Sequence, residues 1–404
     1  MHILMVLSTK TFPPDGRVER EARALIKAGH SVSLMARRGL NQPRMETFDH
    51  IRVIRVPLPG QTKKAISDFL YFFWQRYFLF FHLIRFCRKY GVDAIHVHDL
   101  PYAVASVCVG KLLGIPVVFD MHEHYTVMLR MSFESRVYRK FKPFAFLLLS
   151  LLNLEERLAC RWSCQVIVVA REHIPRIQSL GVPRGRILEL TNTEELDIFG
   201  GFPIQEAIVR QYANDFVILY TGGFSPHRGL ETAIRAMPSV LKELPTAKLV
   251  LVGEGSIRAE LEELTKQLHL TNQVQFTGHQ SFSLLPSYIQ ASAICLIPHI
   301  STAHIETTMP NKIFQFMMLG KPVLVSSTGP MMRIVKETEC GLIFQERNVQ
   351  SLSLQILAMR DKQQRLRWGR NGKTAVRQRY HWGETVKDLV QLYESKFQDR
   401  CSAR

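Results

Sequence analysis

The sequence predicts an α/β protein built from two open, parallel-sheet domains. Short apolar runs alternate with amphipathic stretches over most of the chain, which is the pattern of parallel strands joined by crossover helices. The alternation breaks once, over residues 196–212, where Gly200, Gly201 and Pro203 mark a linker, and then restarts. The length, 404 residues, also exceeds what one hydrophobic core usually holds.

The elements follow in order. Residues 2–8 are an apolar strand. Residues 16–28 carry helical spacing through Val18, Ala22, Leu25 and Ile26, and Gly29 closes that helix. Strands are expected over 31–36, 51–56, 94–98, 117–119 and 166–169, with a helix through Leu113 and a long helical stretch before the last of these. The second half gives strands over 216–220, 248–252, 274–277, 293–298 and 322–326. Between them lie helices over 231–244, 257–268, 284–290 and 311–319. A basic helix (Arg365, Arg367, Arg370, Lys373, Arg377, Arg379) precedes an amphipathic one over 381–397, with Val386, Leu389, Val390 and Tyr393 on its apolar side. The expected division is 1–198, 199–380 and 381–404. Two such units meeting at a linker place a cleft between them, and open sheets bind ligands at the carboxyl ends of their strands.

A hydrophobic fraction of 46 % and a charged fraction of 22 % exclude disordered, collagenous and polytopic membrane classes. The net charge of +17 suits an anionic partner: nucleic acid, a phosphorylated ligand or an acidic membrane face. No helix-turn-helix, finger or RNA-binding motif occurs and the basic residues are spread over both halves, so no nucleic-acid partner is expected. Seven cysteines form no paired framework, and Cys160 with Cys164 lacks a second pair to complete a zinc site, which fits a reducing cytoplasm. The N-terminus has no basic leader and reads as a first strand rather than a signal peptide.

Residues 69–86 hold 10 of the chain's 39 aromatics, but Gln75, Arg76, His82 and Arg85 interrupt them, so a spanning helix is not expected. Residues 144–152 contain one polar side chain, Ser150, and follow Arg136, Arg139, Lys140 and Lys142. Rings flanked by cations suit an interfacial helix on anionic lipid; a helix buried in the core is the alternative.

The second half carries a constellation of turns. Residues 222–229, Gly-Gly-Phe-Ser-Pro-His-Arg-Gly, follow a strand and open a helix, where backbone amides approach a phosphate and Arg228 adds a forked donor. Gly253 and Gly255 form a second such turn, and Gly278 with His279 a third, where a base can stack or bond to backbone. In residues 307–316 Pro310 is expected to start a helix with Lys312 in its first turn. A cation there opposes the helix dipole unless an anion sits beside it. Gln315, one turn beyond Asn311 and Lys312, faces the same ligand.

Taken in order, these motifs resemble the family 4 retaining glycosyltransferases of the two-domain GT-B type, in which two Rossmann-like domains face a central cleft. Residues 12–22 (Phe-Pro-Pro-Asp-Gly-Arg-Val-Glu-Arg-Glu-Ala), 29–32, 96–99 and 114–122 resemble that family's first-domain loops and strands, so the likeness runs nearly end to end. The resemblance implies transfer of a sugar from a nucleotide diphosphate to an acceptor with retention and without metal or cofactor. It makes the first domain acceptor-binding, the second nucleotide-sugar-binding, and the last helix one that crosses back to the first. Arg228 stands where the family has a diphosphate-binding lysine, His122 matches a histidine facing the donor sugar, and Gly16 and Arg17 lie in the loop that closes on the donor. Gly222, Gly223, Gly253, Gly255, Gly278, His279, Thr307, Pro310, Asn311 and Gln315 complete the implied donor site.

The chain also departs from the pattern. Gly223 replaces an arginine, and the paired glutamates fall on Thr307 and Gln315, with Glu306 one residue out of register. Gln315 keeps a carbonyl that can accept from ribose, and Lys312 can take over the missing cation. An inactive GT-B scaffold subunit and a sugar-nucleotide 2-epimerase are the alternatives; Thr307 and the opening loop speak against the second.

Negative charge grows on the departing diphosphate, so Arg228, Lys312 and Arg17 are expected to stabilise it, by several kcal/mol per essential donor on the order-of-magnitude scale of such groups. With no evident nucleophile, same-face attack is expected, Asp99 and Glu123 positioning the acceptor. The acceptor expected is a saccharide, carried on a polyprenyl lipid in envelope or exopolysaccharide assembly, with the enzyme peripheral at the cytoplasmic face of the membrane.

Overall fold

In a computed structural model, described for residues 1–39, 41–56, 65–133 and 142–396, the chain divides into two compact units. The first comprises Met1–Thr191 with the chain from Val386 onward, and the second Asn192–Thr385.

The first unit is built on an eight-stranded sheet in the order β3-β4-β2-β1-β5-β6-β7-β8. Its strands are β1 (His2–Thr11), β2 (Ser31–Arg37), β3 (Met45–Phe48), β4 (Ile51–Val56), β5 (Ala94–His98), β6 (Val117–Met121), β7 (Gln165–Val168) and β8 (Ile187–Glu189). Every pairing is parallel except β3 with β4. Strands β5, β6 and β7 are buried along their whole length, because crossover helices cover both faces of the sheet.

The β3–β4 hairpin is absent from the sequence reading. Phe48 pairs with Ile51 across a two-residue turn whose residues, Asp49 and His50, both have positive φ. That is the mirror-image turn that matches strand twist, and it is usually signalled by glycine, which is missing here.

Among the helices of this unit are α1 (Gly16–Lys27), α2 (Ala65–Tyr90), α3 (Ala103–Leu113), α4 (Tyr125–Phe133) and α5 (Lys142–Trp162). Asp15 caps α1 by accepting from Val18 N at 3.3 Å, and Val18, Ala22 and Leu25 form its buried stripe. Helices α2, α3 and α5 pack side by side. The inner side of α2 buries Leu79, Leu83 and Phe86 in the same core as Val107 of α3 and Leu152 and Ala159 of α5. Over residues 77–86 α2 is therefore core on one side, while Tyr77 and Phe81 remain exposed on the other. The side chains of residues 69–76, Lys142 and Phe144, and all of Arg136, Arg139 and Lys140, lie outside the described residues. Among the described residues no helix is long and apolar enough to cross a membrane.

The second unit holds a six-stranded parallel sheet in the order β11-β10-β9-β12-β13-β14. Its strands are β9 (Phe216–Thr221), β10 (Ala247–Val252), β11 (Val274–Gly278), β12 (Ile294–Ile297), β13 (Val323–Ser326) and β14 (Gly341–Phe344). In each unit the chain leaves the first strand toward one side and later resumes on the other. The reversal falls between β1 and β5 in the first unit and between β9 and β12 in the second, and the carboxyl end of such a switch point is where an open sheet receives ligands.

The divisions fall at 191/192 and 385/386, beside the 198/199 and 380/381 suggested by composition. Two sets of contacts explain the difference. The helix Leu196–Phe199, which precedes the glycines, packs the Phe199 ring 5.2 Å from Phe282. Trp382 N donates to Glu194 O at 2.9 Å and Thr385 bonds to Thr193 at 2.8 Å, which keeps 382–385 with the second unit. The expected tail helix is accordingly two pieces, Trp382–Thr385 and Lys387–Lys396. Tyr393 of the latter is buried in the first unit, its hydroxyl 3.0 Å from His96 Nδ1.

Candidate active site

In the second unit the turns after β9, β10 and β11 touch one another. Gly229 stands at φ +68°, and a Cβ there would come 1.9 Å from Pro298 O. Gly253 stands at φ +146°, with the corresponding position 2.0 Å from Gly222 O. Only glycine lets these backbones meet. Gly255 packs likewise on Phe224, whose N donates to Glu254 O at 2.8 Å. Gly253 and Gly255, expected as donor contacts, thus turn toward protein backbone and hold the 222–229 turn in place. Gly278 O accepts from Gly253 N at 2.9 Å, Gly223 O accepts from the Tyr220 hydroxyl at 2.8 Å, and His279 is exposed.

Arg228 and Lys312 come into one neighbourhood on this scaffold. Arg228 Nη1 donates to His299 Nε2 at 3.0 Å, just beyond β12. Lys312 is buried, donates to Thr221 O at the end of β9, and lies 4.1 Å over the Tyr220 ring. Burial pushes the Lys312 ammonium well below the ordinary lysine range and Arg228 adds to the fall. Burial, then Lys312 and Arg228, push His299 well down; burial, then Arg228 and His304, bring His227 to about 4. Among the described residues the leading charges acting on these three groups are cations and histidines. Arg228 Nε and His299 Nδ1 are moreover buried without a hydrogen-bond partner. Two cations brought together beside histidines that cannot compensate them are what an anion would complete.

Pro310 does not start the helix. Its carbonyl accepts from Ile313 N at 3.3 Å in a tight i+3 turn, and the α-helix takes up only at Lys312, with Asn311 at the cap. The Asn311 side chain makes no cap bond: its Nδ2 donates to Glu194 Oε1 at 3.0 Å, where Gln315 Nε2 also donates at 2.7 Å. One carboxylate therefore orients both amides. Thr307 departs from the expected site, since its hydroxyl bonds back to Ala303 O at 2.8 Å and His304 O at 3.1 Å. Glu306 is occupied by the Ser301 hydroxyl at 2.6 Å and Gly329 N at 2.8 Å.

The first unit gathers a different cluster at the carboxyl ends of β1, β5 and β6. Arg17, beside Gly16 in the first turn of α1, is buried and forks onto Asp120 at 3.1 Å. It also pairs with Glu21 at 2.9 Å and donates to Leu190 O at 3.0 Å. Arg17 is thus committed within its own unit and is not free for a diphosphate, contrary to the sequence reading. His122 Nε2 lies 3.0 Å from Asp120 and 3.1 Å from His98 Nδ1, and His122 Nδ1 lies 3.9 Å from Asp99. Burial opposes the His122 charge, but Asp120 and Asp99 outweigh it and lift the ring to about 9. Burial and Asp120 raise Glu21 to about 8, while burial, aided by His96, takes His98 down to about 3. Burial opposes ionisation of Asp120 too, yet Arg17 and His122 hold it well below the carboxylate range. Glu123 is half-buried in the turn after His122.

Ligand atoms of Glu21, His96, His98 and Asp120 lie within 4.8 Å of one another, a set whose chemistry suits a divalent ion. Arg17 already brings positive charge to both carboxylates, which weakens that fit.

Sequence reasoning missed Glu194, His299, Glu21 and Asp120 as site residues. Two of these were legible: Glu21 lies one helical turn from Arg17, and Asp120 lies two positions before His122 at the end of β6. Glu194 and His299 reach their partners over long sequence separations and leave no local signal.

Residues 202–375 match the family described as glycosyl transferases group 1, and residues 16–193 the glycosyl transferase 4-like domain. An uncharacterized glycosyltransferase of Methanocaldococcus jannaschii is 25 % identical over 396 residues, 92 % of each chain. Among solved structures, sucrose-phosphate synthase from Thermosynechococcus elongatus superposes with a TM-score of 0.77 at 21 % identity, over 99 % of this chain and 100 % of that one. An Anabaena protein solved in complex with UDP gives a TM-score of 0.71 at 18 % identity, over 98 % and 100 %.

Proposed function

The chain belongs to the glycosyl transferases, in the two-domain GT-B form with a family 4-like first domain, and from that premise we propose how it handles its substrates. It is an enzyme that uses a sugar-nucleotide donor. The donor diphosphate binds at Arg228 and Lys312, between the turn after β9 and the end of β12. The observation that carries this is the meeting of Arg228 with the buried Lys312, beside His299 and His227, whose own charging burial and these cations oppose. As the glycosidic bond breaks, these groups stabilise the charge left on phosphate, and no metal takes part. Glu194 presents the Asn311 and Gln315 amides to the donor by fixing their N–H sides, leaving each carbonyl to accept from sugar or ribose hydroxyls.

Transfer proceeds with retention by same-face attack, the departing phosphate oxygen taking the acceptor proton. The charge state of the first unit supports this, since His122 is an imidazolium at neutral pH and Asp120 and Glu21 are buried against Arg17. Asp99, held beside His122, positions an acceptor saccharide. The acceptor is carried on a polyprenyl lipid in envelope or exopolysaccharide assembly, at the cytoplasmic face; the unpaired cysteines suit a reducing compartment.

The test is a thermal-shift screen of nucleoside diphosphates and their sugars, followed by turnover with the donor found. A bound donor raises the melting temperature. Arg228→Ala and Lys312→Ala each then cost at least about tenfold in turnover, as loss of a charge-stabilising donor does, with the fold intact. Unchanged turnover in both removes them from the site.

A further inference from the structure

The three helices that cover one face of the first unit's sheet differ in length. The five-residue strands β5 and β6 are about 17 Å long. Helix α3, with 11 residues and about 16 Å, matches them, whereas α2 with 26 residues extends about 39 Å and α5 with 21 about 31 Å. All three end level with the amino edge of the sheet. Tyr90 O, at the end of α2, is 3.0 Å from His2 Nδ1 at the start of β1, and Lys111 of α3 sits 4.1 Å over the Trp162 ring that ends α5. Helices α2 and α5 therefore run past the carboxyl edge by on the order of 20 and 15 Å.

The outward sides of these two helices are apolar near that edge. Tyr77 and Phe81 of α2 are 60 % and 51 % exposed, with rings 4.9 Å apart; Phe146 and Leu147 of α5 are 76 % and 52 % exposed. Toward the amino edge each side becomes basic, with Arg85, Arg88 and Lys89 exposed on α2 and Arg157 and Arg161 on α5. The same order of rings then cations, repeated on two helices of a chain with net charge +17, is complementary to a bilayer bearing anionic headgroups. The edge that carries the rings also carries Asp99 and His122, which follow β5 and β6.

We infer that the outward sides of α2 and α5 dock on an anionic bilayer and so turn the Asp99–His122 edge toward lipid, which delivers an acceptor borne in that bilayer. The delivery of an acceptor rests on the transferase reading; the docking surface does not.

The experiment is flotation of the full chain with vesicles of phosphatidylglycerol and phosphatidylcholine, against phosphatidylcholine alone, at low and high salt. Nucleoside-diphosphate stabilisation is read in parallel. The expected result is flotation with the anionic vesicles only, weakened by high salt. The Tyr77→Ser/Phe81→Ser/Phe146→Ser/Leu147→Ser variant loses at least about tenfold in lipid affinity while its thermal stabilisation by nucleotide is unchanged. Arg85→Gln/Arg88→Gln/Arg157→Gln loses the preference for anionic lipid. A wild-type chain that stays with the unbound protein at low salt overturns the inference. So does flotation that the four-residue variant leaves unchanged, or a dimer in sedimentation that this variant dissolves. Absence of nucleotide stabilisation in the wild type would instead count against the transferase reading and leave the flotation result to stand by itself.

Discussion

Each unit carries a buried charged cluster at the switch point of its sheet, but the two are balanced in opposite ways. In the first, Arg17 and the His122 imidazolium face the carboxylates of Asp120 and Asp99, with the Glu21 carboxyl beside Arg17, so positive and negative groups are paired inside the protein. In the second, Arg228 and Lys312 face each other and histidines, and among the described residues the charges that act most on Lys312, His299 and His227 are Arg228, Lys312 and neighbouring histidines. A balanced cluster holds its members in fixed orientation. An unbalanced one raises the energy of the free protein and recovers it when an anion binds. The contrast identifies which of two similar positions in two similar sheets receives the phosphates.

The largest effect should come from unbalancing the first cluster. Asp120→Asn leaves Arg17 and His122 buried without their main partner, and loss of one member of a buried pair typically costs about 3–5 kcal/mol. Chemical denaturation should show that loss, and a wild-type midpoint would contradict the assignment. The opposite change is expected in the second cluster. Lys312→Met removes a buried cation that has no anion, so the free chain should melt at a higher temperature while its stabilisation by nucleotide disappears.

The clusters also oppose one another in pH dependence. His122 has a raised pKa, so its stabilising contribution is full below the ordinary histidine value and is lost as pH rises through about 9. Glu21, raised to about 8, acts in the same direction. Lys312 is depressed, so the unfolded chain binds more protons and the Lys312 penalty shrinks as pH rises toward the ordinary lysine value. Stability measured between pH 7 and 9 should therefore fall more steeply in Lys312→Met than in the wild type. Parallel slopes would remove Lys312 from the buried cluster.

The smallest effect concerns Glu194. Glu194→Gln should leave melting nearly unchanged but raise KM for the donor more than it lowers kcat, because one carboxylate orients both Asn311 and Gln315. Equal effects on both constants would make Glu194 merely structural.

The strands were legible in the sequence wherever apolar runs stood beside glycine or proline, as at residues 117–119 and 322–326. They were not legible for β3, β8 and β14, which are three or four residues long and partly exposed. Lys312 could be picked out because it stands where the helix dipole disfavours it without a ligand, and Arg228 because it is a forked donor in a glycine-rich turn between a strand and a helix. Arg17 was misread for the converse reason. Its partner Asp120 lies 103 positions away, and sequence offers no measure of a contact that only the β1–β5–β6 order creates. Thr307, which stands where the resembling family has a glutamate, spends its hydroxyl within its own turn, and sequence offers no measure of that.

The most direct test is calorimetric titration of a nucleoside diphosphate, UDP first, in buffers of different ionisation enthalpy at a series of pH values from about 7 to about 10. Burial and Arg228 push the Lys312 pKa down and a diphosphate beside it pushes it back up, so within that range binding should take up protons in the wild type and cease to do so in Lys312→Met. Wild-type binding with no proton uptake, or uptake that persists in Lys312→Met, would contradict the account.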